Sequence, residues 1–255
     1  MPDYAPGTPS WVDLASPDLD ASINFYTALF GWETRRTSDP AFGGYTTFTK
    51  DGQEVAGAAP KMGESQPTAW SSYVSTSDAE ATAKAVTEAG GTVLAAPMEV
   101  PTQGHMAVFM DPTGAAIAVW QPGGHKGAEL VNEPGSLSWN ELQTRDPQAA
   151  KGFYTNVFGW GTRDTEMPGM GTYTEWLLDG KSIGGMMPMG DQIPASVPPH
   201  WEVYFAVADC DGTVAQAKEL GATVVAGPMD IPQQGRFATM LDPQGAVFSV
   251  IKLSG

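Results

Sequence analysis

The stretch Asn24–Trp32 reads NFYTALFGW, and Gly152–Trp160 reads GFYTNVFGW. Six of the nine residues agree, 128 positions apart. The echo extends outward. SWVDLASPD from Ser10 matches SWNELQTRD from Ser138, again 128 apart. APMEVPTQG from Ala96 matches GPMDIPQQG from Gly227, and DPTGAA from Asp111 matches DPQGAV from Asp242, both now 131 apart. The chain is therefore a tandem duplication of a unit of roughly 115 residues, an ordinary domain size. Three residues enter the second copy between Trp32 and Ala96 and their counterparts. Units are expected over residues 9–122 and 135–253, with the Gly- and Pro-bearing stretch 123–134 as linker.

Each copy reads alike. WVDLAS alternates between two faces, as a strand does. Asp18 and Asp146 are placed to cap helices, and Pro147 suits a first helical position. Leu19, Ile23, Tyr26 and Phe30 recur along one helical face, and Gly31 or Gly159 ends the helix. Three strand-like runs follow, then a second strand, helix and three strands. Four βαβββ modules result, an α+β chain.

This module order, the FYTALFGW helix end and the DPTGA turn resemble the vicinal-oxygen-chelate superfamily. That group includes glyoxalase I, bleomycin-resistance proteins and extradiol dioxygenases. The resemblance runs from about Pro9 to Leu253, and SWNEL, WEVYFAV and DIPQQGRFA are similar to two-domain actinobacterial glyoxalase-like proteins. It implies that paired modules curl a sheet around a cup. In metal-using members the cup holds a divalent ion on a His or Gln of the first strand and a Glu of the last. Carried over to this chain, those positions are Trp11, Gly57, Ser71 and Ala118 in one copy, and Trp139, Gly185, Glu202 and Ser249 in the other. Only Glu202 is a good ligand, where a divalent ion wants at least three. No metal and no cofactor is expected.

Alternation puts Trp11 and Asp13 on one face of the first strand, and Trp139, Glu141 and Gln143 on its counterpart. Tyr73, and then His200, Glu202 and Tyr204, join from the fifth strands. Arg236 stands where the first copy has His105, and Met186 and Met187 offer soft apolar walls. Ligand contacts are thus expected from Trp11, Asp13, Tyr73, Trp139, Glu141, Met187, His200, Glu202, Tyr204 and Arg236. An aromatic pocket with a few polar groups fits a small molecule. The first reading is a metal-free binding protein for an aromatic or apolar ligand, in a resistance or sequestration role. Alternatives are a lyase, isomerase or cofactor-free tailoring enzyme using Glu141 and Glu202 as general acid and base, and a glyoxalase-type enzyme with an unusual metal site. Whether catalysis occurs stays open.

The bulk numbers exclude other classes. Thirteen scattered Lys and Arg against 29 Asp and Glu, a net charge of −16, argue against nucleic acid and anionic membranes. No apolar run reaches spanning length, and MPDYAPGTPS lacks the pattern of a signal peptide. A cytoplasmic monomer or homodimer is expected. The single Cys210 lies between Asp209 and Asp211, whose charges disfavour a thiolate nucleophile.

Overall fold

Asp18 and Asp146 accept hydrogen bonds from Ala21 N and Ala149 N, 3.0 Å each, and so start the first helix of each copy. Gly31 and Gly159 end those helices in the left-handed region, at φ 68° and 71°, where a side chain is disfavoured. These elements belong to a computed structural model that describes residues 4–37, 42–167 and 171–254.

The first copy runs β1 (Pro9–Ser16), α1 (Leu19–Phe30), β2 (Glu33–Arg36), β3 (Thr46–Lys50), β4 (Gln53–Pro60), β5 (Ala69–Ser75), α2 (Ala79–Glu88), β6 (Thr92–Val100), β7 (Gly104–Met110) and β8 (Ala116–Pro122). The second runs β9 (Leu137–Thr144), α3 (Pro147–Phe158), β10 (Gly161–Met167), β11 (Gly171–Leu178), β12 (Lys181–Pro188), β13 (His200–Ala206), α4 (Cys210–Glu219), β14 (Thr223–Ile231), β15 (Gly235–Leu241) and β16 (Val247–Leu253). Each copy makes its own eight-stranded sheet, ordered β2-β3-β4-β1-β5-β8-β7-β6 and β10-β11-β12-β9-β13-β16-β15-β14. The two domains are thus tandem α+β units of two βαβββ modules each, and each sheet is assembled within one copy.

The three extra residues can now be placed. Gly57 and Gly185 lie opposite Asp13 and Glu141 and are still 128 apart, whereas β5 and β13 begin 131 apart. The insertion therefore falls in the connection over residues 189–199, which Arg145 braces through Ile193 O, Pro194 O and Val197 O.

The hydrophobic cores are not divided the way the sheets are. Phe25, Tyr26, Leu29 and Phe30 of α1 pack with Val214 and Ala217 of α4 and with Met240 and Phe248 of the second sheet. Ala83 and Val86 of α2 pack with Phe153 and Tyr154 of α3 and with Phe109 and Ile117 of the first sheet. The repeated helix end thus works across the two copies. Tyr26 Oη donates to Asp242 Oδ2 and accepts from Trp70 Nε1, both at 2.9 Å. Tyr154 Oη donates to Asp111 Oδ2 at 2.9 Å and accepts from Trp201 Nε1 at 2.7 Å. Trp32 Nε1 donates to Gly135 O and Trp160 Nε1 to Gly7 O, 2.7 Å each. The repeated helix end of one copy therefore binds the repeated DP-x-G turn of the other. Trp70 and Trp201 belong to this buried network and not to the cups.

Candidate functional site

In each sheet the middle strands pair antiparallel, so side chains directly opposite one another approach to about 4.5–5.5 Å between Cβ atoms. Asp13 faces Ser71 and Trp11 faces Tyr73. Glu141 faces Glu202 and Trp139 faces Tyr204. The sheet face turned away from the helices carries the same constellation in both copies. Trp11 Nε1 donates to Tyr45 Oη at 2.9 Å, and Tyr73 Oη donates to Asp13 at 2.9 Å. Trp139 Nε1 donates to Tyr173 Oη at 3.0 Å, and Tyr204 Oη donates to Glu141 at 3.1 Å. Gly57 and Gly185 make room for the phenols. A Cβ on either would lie 1.9 or 2.0 Å from the Oη of Tyr45 or Tyr173.

Both carboxyls are perturbed by this setting. Burial raises Asp13 to about 6, against the pull of Tyr73, Tyr45 and His125. Burial, and then the nearby Glu202 charge, raise Glu141 to about 7, against hydrogen bonds from Tyr173, Tyr204 and Gln143. Glu141 and Glu202 are 8% and 6% exposed, so neither is a solvated rim residue. Glu202 is held by the hydroxyl of Thr239 at 2.9 Å and by that of Ser249. The second cup therefore holds two facing carboxyls with separate hydrogen-bond shells. One of them takes up a proton near neutral pH.

Met187 and His200 sit opposite Gln143, on the same strand faces as Gly185 and Glu202. His200 Nδ1 lies 2.9 Å from Pro198 O, at the cup's edge. Two expectations need correction. Met186 is 1% exposed and packs in the core against α3, not in the cup. Arg236 alternates with Ala238 and Met240, which face the helices, whereas Phe237 and Thr239 face the cup. Its guanidinium accordingly pairs with Asp211 of α4 at 2.7 Å and with Asp230 at 3.1 Å. Burial and Asp211 raise the Cys210 thiol to about 11, as a non-nucleophilic cysteine requires.

Three contributors went unnoticed in the sequence. Tyr45 and Tyr173 are 128 apart and each precedes a Thr, so the repeat itself marks them. His125 lies in the stretch expected to be a linker, yet its ring packs edge-on against Trp11 with centroids 4.4 Å apart. Nothing in the local sequence signals that approach.

The four positions that the resemblance assigns to metal ligands hold Trp11, Gly57, Ser71 and Ala118, or Trp139, Gly185, Glu202 and Ser249. Indole N–H groups donate hydrogen bonds and cannot ligate. Here both already donate to tyrosines. Among the described residues no group of three or more His, Cys, Asp and Glu is arranged around a common point. The donor set does not fit a divalent ion. Calorimetric titration with Zn²⁺, Mn²⁺ or Fe²⁺ is expected to show no stoichiometric tight site; one bound ion per domain that vanishes in Glu202→Ala would overturn this.

The chain belongs to the glyoxalase/bleomycin resistance protein/dioxygenase superfamily, which residues 8–119 and 136–250 each match. It is similar to the anthracycline biosynthesis protein DauV of Streptomyces sp. (strain C5), with 45% identity over 267 residues, covering 99% of this chain and 96% of that protein. It is also similar to the glyoxylase-labelled CFP32 of Mycobacterium bovis, 42% identical over 256 residues, covering 98% and 96%. Among solved structures, the Mn(II)-bound glyoxalase from Novosphingobium aromaticivorans shares the fold, with TM-score 0.66 and 18% identity over 97% of this chain and 82% of that one. No described helix is long and apolar enough to cross a membrane.

Proposed function

We propose that this protein binds a hydroxylated aromatic small molecule in its second cup without a metal, as a cytoplasmic protein of natural-product metabolism. The observation that carries this reading is the repeated Trp–Tyr–carboxyl–Tyr constellation standing where a metal centre would otherwise be built. Aromatic walls supply apolar contact, and phenols and carboxyls supply a few directed hydrogen bonds. Glu141 in its neutral form can donate to a carbonyl, and an oxygen of Glu202 can accept from a hydroxyl. Anthracyclines carry both groups on a planar ring system, and the similarity to DauV makes them the first ligands to try.

Fluorescence titration with daunorubicin tests the reading. Losing a buried, hydrogen-bonded charge from a binding site typically costs on the order of 2–5 kcal/mol when partners are left unpaired. Glu202→Ala should therefore weaken binding at least tenfold more than Ser71→Ala. Equal losses would move the site to the first cup, and absence of saturable binding would sink the proposal.

One observation favours a second reading. A carboxyl raised to about 7 beside another carboxyl is suited to proton transfer, in an isomerisation or ring closure that needs no cofactor. If turnover of an accepted substrate survives both Glu141→Gln and Glu202→Gln, this reading fails.

A further inference from the structure

The stretch after β8 does not hang free as a connector. Ala128 N donates to Ser10 O at 2.8 Å, and Glu129 N donates to Glu54 O at 2.7 Å. Trp120 Nε1 holds His125 O at 2.9 Å. These bonds lay residues 125–129 along the first sheet, where Ala128 packs with Trp11, Tyr73 and Trp120. His125 Nδ1 lies 2.9 Å from Glu54 Oε2. Its Nε2 is buried and has no protein hydrogen-bond partner. The second copy has Ser182 at the position of Glu54, so the pair belongs to the first cup alone.

The chemistry of this pair follows from its surroundings. Glu54 also accepts from Arg35, and its hydrogen bond to His125 holds it below the usual carboxylate range, so it stays ionised. An ionised acceptor at Nδ1 keeps the proton there and leaves Nε2 with its lone pair. The opposite tautomer would bury an unpaired N–H, which is costly. The ring meets the indoles of Trp11 and Trp120, with centroids at 4.4 and 5.6 Å. Asp13 of β1 is the other titratable group that acts on it, and Tyr45 before β3 and Tyr73 of β5 act in turn on Asp13. Lys126 and Glu129 stand on its own segment. A pocket of about 120 Å³ has Glu54 and His125 in its wall, together with Gln103, Lys126 and Glu129.

We propose that the pocket beside the first cup, walled by Glu54, Gln103 and residues 124–129, is a second, chemically distinct site, in which His125 Nε2, positioned by Glu54, accepts the proton of an acidic hydroxyl on a small aromatic or enolic ligand. The ligand O–H bond breaks and an Nε2–H bond forms. The resulting imidazolium lies between Glu54 and the ligand oxyanion, so no other reactant is needed. The second cup, by contrast, holds Glu141, whose burial favours the protonated, donating form. This inference extends the reading above to the first domain, and its test does not require the second cup to be filled.

The test uses the full chain and p-nitrophenol, whose phenolate absorbs visibly where the phenol does not. One pH unit below the probe's own pKa, binding to the wild type should develop the phenolate band. His125→Gln should lose at least tenfold of that signal, while the exposed His105→Gln keeps it. Glu54→Gln should reduce it at least severalfold. Long-range ¹H–¹⁵N spectra of the unliganded wild type should show Nε2 of His125 unprotonated at neutral pH. A protonated Nε2, no phenolate band in the wild type, or a band that persists in His125→Gln would each overturn the proposal. A band with no daunorubicin binding would instead remove only the proposed function of the second cup.

Discussion

Trp160→Ala is expected to destabilise the protein by about 3–5 kcal/mol, the range for deleting a large buried aromatic. Trp160 is 1% exposed and lies against Tyr154, Trp176 and Trp201 at ring-centroid distances of 5.3, 5.5 and 6.0 Å. Its loss also strands the carbonyl of Gly7, which belongs to the other copy. Because each core draws on both copies, the damage should not stay in one domain. Guanidinium unfolding followed by circular dichroism should show one transition, shifted as a whole, and Trp32→Ala should behave alike. Two separable transitions, with only one displaced, would refute the shared-core account. A loss below about 1 kcal/mol would mean that the cavity closes at little cost.

The second large effect concerns pH. In the unfolded chain Glu141 titrates near 4.5, and in the folded protein near 7. Below pH 4.5 both states are protonated and the group is neutral to stability. Between the two values the folded state retains a proton that the unfolded state has lost, so stability falls as pH rises, levelling above pH 7. A gap of about 2.5 pH units corresponds to roughly 3 kcal/mol. Glu141→Gln should flatten the wild-type decline between pH 4.5 and 7 by an amount of that order. Denaturation midpoints at several pH values measure it. A variant curve parallel to the wild type would show that Glu141 is ionised in the folded state, and the donor role assigned to it would fall.

Much of this arrangement was legible in the sequence because the chain is written twice. Caps at Asp18 and Asp146, stops at Gly31 and Gly159, and the strand alternation of Trp11–Asp13 and Trp139–Glu141 are local patterns, and periodicity reports them directly. Periodicity states that a face is buried, not what buries it. Tyr26 and Tyr154 read as core residues, but no local signal says that they bond to Asp242 and Asp111 of the opposite copy. Arg236 was misplaced because β15 is buried on both faces, so polarity alone does not assign a face. Its partners Asp211 and Asp230 are set by tertiary packing. His125 was hidden for a different reason. Gly- and Pro-rich composition marks a segment without helix or strand, and that says nothing about whether its backbone finds partners elsewhere.

The reciprocal contacts between the copies have the form of an isologous interface, in which the same patch serves on both sides. The polypeptide is in effect a symmetric dimer whose subunits have been joined end to end. Joining makes their association intramolecular, at a high effective concentration. It also removes a constraint. In a true homodimer, any substitution appears in both cups at once. In the joined chain each cup can change alone, while the shared interface keeps both folded. Asp13 facing Ser71 and Glu141 facing Glu202 are the two outcomes written into one molecule. So is the pair at Glu54 and His125, which a strictly symmetric assembly would have been obliged to carry twice.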